Sequence, residues 1–220
     1  MNLDIFTLFP EAFGWLRDQR PVRKAIEHGS RLDLRDYRDW TPMKGGRVDD
    51  APYGGGAGMV LRVDVVDAAL EGVYGGGSRP RTVVLTPSGR LLDEPTVGEL
   101  AAEPRLALLC GRYEGFDQRV HDHLADDEIS IGRYVLAGGE LPAMVVADAI
   151  MRKLPGALGD ADSAIEESYS EALDGMPEYP QYTRPPEYRG WGIPEVLISG
   201  DHDRIREWRL EQSRRREGRR

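Results

Sequence analysis

The sequence predicts an α/β fold in which helices cover a parallel β-sheet. Three observations favour this class. Short apolar runs such as TVVLTP (82–87) and LALLCG (106–111) suit strands that are buried on both faces, as in a parallel sheet. Segments with helical character separate these runs, and glycine or proline ends them. Apolar residues make up 40% of the 220 residues, which is enough for a core in a chain of this length.

The elements can be predicted in order along the chain. Residues 2–9 and 31–37 alternate weakly between apolar and polar side chains and indicate two strands, separated by a helix over 11–28 that Pro21 interrupts. A glycine-rich stretch, 41–58, precedes a helix over 63–71. Further strands are predicted at 82–87, 106–111, 128–132 and 134–139, with helices at 94–102, 116–125 and 141–153.

The C-terminal part differs in composition. Residues 158–178 hold seven acidic residues and no basic one, whereas 204–220 hold eight arginines and three glutamates. We expect three parts: a ligand-binding domain over 1–158, a flexible acidic linker or lid over 159–172, and a small helical domain over 173–220. Asp201 or Asp203 would cap the last helix.

Charge alone does not define a partner. The net charge of −9 argues against nucleic-acid binding, but binding depends on where the cations cluster. The arginine-rich stretch 204–220 is therefore a candidate phosphate contact, with a solvated charged helix as the alternative.

Three features of the sequence indicate where in the cell the protein is located. It holds no apolar run of about 18 residues that could span a membrane. Its opening residues lack the basic start and the cleavage site of a signal peptide. Cys110 is the only cysteine, so we expect a buried thiol and a cytoplasmic location.

Several common catalytic motifs are absent from the sequence. It contains neither the dinucleotide fingerprint G-x-G-x-x-G after a strand nor the phosphate-binding G-x-x-x-x-G-K-[ST]. The nucleophile elbow G-x-S-x-G is also missing. His121 and His123 form an H-x-H pair without neighbouring ligands, so a structural or surface role is favoured over metal binding.

Three glycine-rich loops follow the predicted strands: TPSG (86–89), CGRYEG (110–115) and IGRYVLAGGELP (131–142). In a parallel sheet, such loops converge at the carboxyl edge, where ligands bind. Glycine lets the backbone approach a flat ligand closely. Ordinary tight turns would explain any one of these loops, but three in consecutive units favour a binding site.

The motifs DIFTLFPEAF, PYGGGAGM, CGRYEG, SIGRYVLAGGELPA and PQYTRP together resemble the TrmD family of bacterial tRNA (guanine-N1)-methyltransferases. The resemblance covers nearly the whole chain. It implies a trefoil-knotted α/β domain of the SPOUT class, with a parallel sheet and S-adenosylmethionine bound within the knot, plus a small helical C-terminal domain. Periodicity and spacing do not indicate a knot, which is rare among proteins.

The resemblance also implies which residues bind the cofactor. Glu114 would accept a hydrogen bond from a ribose hydroxyl or offset the sulfonium charge. The implied pocket comprises Leu85, Thr86, Pro87, Gly111, Tyr113, Glu114, Gly115, Ile131, Gly132, Arg133, Tyr134, Val135, Leu136, Gly138, Gly139 and Pro142.

Catalysis by this family requires a base that removes the proton on guanine N1. The matching position is Glu167, which replaces the family's aspartate, and the adjacent Glu166 is the alternative base. The matching catalytic arginine is Arg152, assigned to guanine O6 or to orienting the base. Two further departures are Arg133, which stands where the family has an acid, and Ala57, which stands where it has proline.

The family resemblance implies a homodimer whose active sites are shared, with tRNA lying across both chains. The reaction would be methylation at N1 of the guanine 3′ of the anticodon (position 37). Two alternatives are a SPOUT enzyme that methylates a ribose 2′-hydroxyl of another RNA, and a non-catalytic RNA-binding module. The resemblance also suggests magnesium, although the sequence contains no constellation of metal ligands.

Overall fold

The computed structural model describes residues 1–158 and 166–218, which form two compact units, Met1–Leu158 and Gly159–Arg220. Residues 159–165 of the predicted linker, together with Arg219 and Arg220 of the arginine-rich stretch, lie outside the described residues.

The first unit is an α/β domain built on a parallel sheet, as predicted. Its strands are β1 (Asn2–Thr7), β2 (Arg31–Asp36), β3 (Asp49–Asp50), β4 (Val60–Leu61), β5 (Arg81–Leu91), β6 (Arg105–Cys110) and β7 (Asp127–Ser130). Its helices are α1 (Gly14–Asp18), α2 (Arg20–Glu27), α3 (Val63–Tyr74), α4 (Glu94–Ala101), α5 (Gln118–His123) and α6 (Glu140–Met151). Five strands form the main sheet in the order β2-β1-β6-β5-β7, with every neighbouring pair parallel, and β3 pairs with β4 separately.

Apolar side chains cover both faces of the main sheet. In β6, Leu106 and Leu108 belong to one core cluster, whereas Ala107 and Leu109 belong to the other. The first cluster includes side chains of α1, α2, α4 and α6, and the second includes side chains of α3 and α5. A strand packed on both faces needs apolar residues at every position, which explains the uninterrupted run in the sequence.

Three predicted elements differ from the structure. Strand β5 does not end at Pro87 but resumes and continues to Leu91. Residues 134–139 were predicted as a strand but form an irregular loop, because their glycines and turns carry the chain directly into α6. The helix predicted over 11–28 is split at Gln19, whose ψ of 136° is extended, and Pro21 lies in the first turn of α2, where proline is favoured.

The second unit combines one long helix, α7 (His202–Glu217), with a small antiparallel pair, β8 (Glu187–Tyr188) and β9 (Trp191–Gly192). Asp201 caps α7 by accepting a hydrogen bond from the backbone N–H of Arg204 at 3.1 Å, which confirms one of the two proposed caps. The sequence analysis did not predict the β-hairpin. Among residues 1–158 and 166–218, no helix has the length and apolar character needed to cross a bilayer.

Candidate functional site

The loops that follow β5, β6 and β7 enclose a cavity of about 220 Å³ at the carboxyl edge of the sheet. These three strands are neighbours in the order β6-β5-β7, so their ends bring the loops together. The lining residues are Leu85, Thr86, Pro87, Gly111, Arg112, Tyr113, Glu114, Gly115, Phe116, His121, Ile129, Ser130, Ile131, Gly132, Tyr134, Val135, Leu136, Ala137, Gly138, Gly139 and Pro142.

The first loop is an insertion within β5. Leu85 and Arg90 both pair with Ile129 of β7, so residues 86–89 bulge out of the strand toward the cavity. Arg90 directly follows the bulge, and its guanidinium donates a hydrogen bond to Asp127, with an Nη2–Oδ2 distance of 2.6 Å. This hydrogen bond closes the base of the bulge. A Cβ on Gly89 would lie 2.5 Å from the backbone carbon of Glu128, so only glycine fits where the strand resumes.

The second loop is a tight turn that is tied to the glycine-rich segment before α3. Tyr113 has a φ of 60°, which is rare for a residue other than glycine and often occurs at functional sites. The N–H of Glu114 donates to the carbonyl of Met59 at 2.9 Å. A Cβ on Gly58 would meet the side chain of Glu114 at 2.5 Å. The motif PYGGGAGM therefore packs against the cavity wall.

The third loop, residues 131–139, folds back onto the second. The N–H of Gly139 donates to the carbonyl of Gly111 at 2.8 Å. A Cβ on Gly139 would lie 2.7 Å from the Cα of Cys110, and one on Gly138 would lie 2.4 Å from Nε of Arg112. At Gly139 a side chain is therefore excluded by close packing of one backbone on another, and at Gly138 by the side chains of Arg112 and Glu140.

A buried carboxylate lies next to this loop. Glu140, the first residue of α6, accepts a hydrogen bond from Oγ1 of Thr7 at 2.9 Å. Its Oε2 lies 2.9 Å from Nε of Arg112. The guanidinium carbon of Arg112 lies 4.3 Å from the ring centroid of Phe9, and its Nη1 donates to the carbonyl of Ala137 at 3.3 Å. Arg112 thus connects the ends of β1 and β6 with the third loop.

Two buried titratable groups lie close to this ion pair. Burial raises the pKa of the Cys110 thiol well above its usual value, with a smaller contribution from the charge of Glu140. Burial likewise raises the pKa of the Tyr37 hydroxyl. The thiol is therefore protonated and unreactive near neutral pH, as expected for a cysteine in the core.

The structure brings together every predicted cofactor residue except Arg133. That residue is exposed and does not line the cavity, and it lies in a turn that the N–H of Tyr134 closes by donating to the carbonyl of Gly132 at 3.0 Å. The sequence analysis missed six lining residues: Arg112, Phe116, His121, Ile129, Ser130 and Ala137.

His121 is the most informative of the residues that were missed. Its Nδ1 lies 3.2 Å from a carboxylate oxygen of Glu128. The only feature of the sequence that could have placed it at the cavity is its position on α5, one turn after the second loop. His123 on the same helix is exposed.

The two predicted catalytic residues lie in different units. Arg152 follows the last residue of α6, and a helix of 12 residues is about 18 Å long, so Arg152 lies far from the end of α6 that adjoins the cavity. Glu167 belongs to the second unit and is partly buried. Across residues 1–158 and 166–218, no group of three or more histidine, cysteine, aspartate or glutamate side chains is arranged to hold a metal ion.

The fold and site define a class: a parallel α/β domain with a cavity between three glycine-rich loops at the carboxyl edge of its sheet. The family model of tRNA (guanine-1)-methyltransferase TrmD matches residues 1–220. The chain therefore belongs to the TrmD family, which confirms the resemblance.

Curated relatives agree with this membership. A tRNA (guanine-N(1)-)-methyltransferase of Brevibacillus brevis is 48% identical over 217 residues, covering 98% of this chain and 88% of the relative. Proteins with the same name from Dehalococcoides mccartyi and Geobacillus kaustophilus are 47% and 46% identical over 218 residues, covering 98% of this chain and 87% and 88% of the relatives.

Proposed function

We propose that this chain transfers a methyl group from S-adenosylmethionine to N1 of the guanine 3′ of the anticodon (position 37) in tRNA. One observation carries the proposal. All but one of the residues that the family motifs assign to the cofactor line the same cavity at the sheet edge, within a chain that the family model matches from end to end.

The residues of the cavity suit this methyl donor. The glycines among the lining residues allow the backbone of the cavity wall to approach the polar edge of an adenine closely. Ile131, Leu136 and Pro142 offer apolar surface to its ring faces. The donor, when bound, supplies a methyl group carried on a sulfonium, whose positive charge the carboxylate of Glu114 would offset.

Of the two candidate bases, Glu167 is the one whose position matches the aspartate of the family, and we assign it the proton of guanine N1. The alternative, Glu166, accepts a hydrogen bond from Oη of Tyr179 at 2.8 Å and lies 3.6 Å from Nη1 of Arg209. Arg152 would stabilise the negative charge that develops at O6.

We further propose that two copies share each active site, with Glu167 of one chain acting at the cavity of the other. Leu141 and Val145 lie one turn apart on α6 and are 59% and 46% exposed, while Val135 at the cavity is 84% exposed. An apolar surface beside the site is typical of an interface. Sedimentation of the purified chain at the mass of one copy would contradict this assignment.

The test uses radiolabelled S-adenosylmethionine and tRNA that carries guanosine next to the anticodon. Label is expected in 1-methylguanosine, whereas label in a 2′-O-methyl nucleoside would identify the ribose methyltransferase alternative. The Glu167→Gln variant is expected to lose at least about 100-fold in rate, the usual contribution of a general base. Calorimetry should show unchanged affinity for the donor.

The matched control is Glu166→Gln, because the amide can still accept the hydrogen bond from Tyr179. This variant should retain most of the activity. If it loses activity while Glu167→Gln remains active, the base is Glu166. If both variants and the wild type transfer no label although the donor binds, the chain fits a non-catalytic RNA-binding module.

Two other assignments concern the location and a metal ion. We propose a cytoplasmic location, since the tRNA substrate would be found there. Magnesium also stays a prediction, and assaying transfer with and without a chelator would test it.

A further inference from the structure

The second unit contains a cavity of its own, of about 530 Å³, which lies within the range of roughly 300–1,000 Å³ that is common for ligand sites. Its walls combine aromatic rings with guanidinium groups and come from the segment before β8 and from α7. The main contributors are Tyr179, Tyr182, Arg206, Trp208 and Arg209.

Two aromatic rings of the cavity wall contact each other at a tilt. The rings of Tyr182 and Trp208 lie 6.3 Å apart at 52° to each other, and the Tyr182 side chain is 48% exposed. The guanidinium carbon of Arg209 lies 4.6 Å from the ring centroid of the buried Tyr179. Its Nε is buried and has no hydrogen-bond partner among the described residues. A buried donor without a partner is costly and is often satisfied by a ligand or by water.

The charges on α7 argue against a purely electrostatic site. Three of its arginines are already close to carboxylates: Arg206 lies 3.0 Å from Asp203, Arg209 lies 3.6 Å from Glu166, and Arg215 lies 2.6 Å from Glu211. These pairs offset much of the positive charge that the sequence shows for this helix. Release of counterions from phosphates would therefore supply only part of any affinity for RNA.

We propose that this cavity binds an unpaired base of the RNA substrate, stacked against Tyr182 and Trp208. The inference rests on the proposed function, which makes RNA the partner. A nucleobase is flat, has a π-face that stacks on aromatic rings, and carries polar groups at its edge that could meet the arginines of the cavity wall. Binding by stacking also suits a helix in which three of the six arginines already lie close to carboxylates.

The experiment measures the affinity of the whole protein for labelled tRNA and for a single-stranded oligonucleotide, over a range of salt concentrations. Tyr182→Leu and Trp208→Leu should each weaken binding by about 5- to 150-fold, the usual effect of losing one stacked base. Trp208→Phe keeps an aromatic ring and should bind almost as tightly as the wild type. The slope of affinity against salt should not change, because no phosphate contact is lost.

The matched control is Trp191→Leu. Trp191 lies on β9 in the same unit, is 69% exposed and packs against Tyr188, outside the cavity. This variant should bind RNA like the wild type. Circular dichroism checks that each variant is folded. If Trp208→Leu does not fold, Tyr182→Leu provides the test, because Tyr182 is half-exposed and its replacement disturbs the fold less.

The outcomes separate this inference from the proposed function. Wild-type affinity in Tyr182→Leu would overturn the stacking site while leaving methylation intact. A weaker affinity accompanied by a shallower salt slope would also overturn it, because the lost contact would then be ionic. Failure of the wild type to form 1-methylguanosine would instead count against the proposed function.

Discussion

Gly139 is the residue at which the third cavity loop comes closest to the sheet. Its φ of −79° and ψ of −7° are open to any residue, so its requirement for glycine is purely steric. An added Cβ would lie 2.7 Å from the Cα of Cys110 and 2.8 Å from the N of Gly111, both backbone atoms. Backbone atoms cannot turn away as the end of a side chain can.

We therefore expect Gly139→Ala to push the third loop off the end of β6. The cost to stability should be about 1–3 kcal/mol, as for other overpacked sites, and affinity for the methyl donor should fall about tenfold or more. Gly98→Ala is the matched control, because no atom lies within 4 Å of its Cβ position in α4, and this change should stabilise the chain by about 0.5–1 kcal/mol. Thermal unfolding and calorimetry measure both effects. If Gly139→Ala and Gly98→Ala changed stability and donor affinity equally, the requirement for glycine at position 139 would not be steric.

At the scale of single residues, the sequence predicted those parts of the cavity that depend on the backbone. A glycine in a loop that follows a strand indicates that the backbone comes close to another group, whichever residues flank the glycine. Gly111, Gly138 and Gly139 could therefore be identified. Arg112 and His121 could not, because their side chains are positioned by contacts with other elements, Arg112 by Glu140 of α6 and His121 by Glu128 of β7. No local pattern encodes those contacts.

At the scale of elements, the short helix α5 depends on its cap. Asp117 accepts a hydrogen bond from the backbone N–H of Arg119 at 3.0 Å and pairs with its guanidinium at 2.7 Å. The hydrogen bonds from the Arg119 side chain, more than the one from its backbone, lower the pKa of Asp117 to about 2. The ionised carboxylate therefore stabilises the folded chain. Its contribution is complete above the usual pKa of 3.8 and is lost as pH falls toward about 2.

Asp117→Ala should accordingly lower the free energy of unfolding by about 1 kcal/mol at pH 7, the usual value of an N-cap. The difference from the wild type should shrink as pH falls from about 4 to 2. Urea unfolding at a series of pH values gives both quantities. Asp122→Ala, on the same helix but away from its cap, should change stability by less than about 0.5 kcal/mol. If the difference in free energy of unfolding between Asp117→Ala and the wild type stayed constant down to the lowest pH, the ionised carboxylate of Asp117 would not be its source.

Elements were predicted well wherever packing required apolar residues throughout, as in β6. The wrong predictions occurred where a run of apolar residues has a cause other than burial within a strand. Residues 134–139 are apolar enough for a strand, but Val135 and Leu136 lie at the cavity and are 84% and 37% exposed. Pro87 predicts the end of a strand, whereas it belongs to the bulge that Arg90 and Asp127 close.

At the scale of the whole molecule, the α/β class followed from alternating strands and helices, but the order β2-β1-β6-β5-β7 did not. Sequence spacing says which strands exist and not which of them are neighbours, because neighbours are selected by contacts between distant residues. The second unit was also harder to predict. Its hairpin strands, Glu187–Tyr188 and Trp191–Gly192, are too short to show a period of two.

The buried thiol of Cys110 has a consequence for the study of this chain in solution. It is the only sulfhydryl group in the sequence, and it directly precedes Gly111 at the cavity. A thiol-modifying reagent can reach it only when the centre of the sheet opens, so the rate of labelling reports how often that opening occurs. A compound held in the cavity favours the closed state and will slow the labelling, which makes this cysteine a native sensor of occupancy.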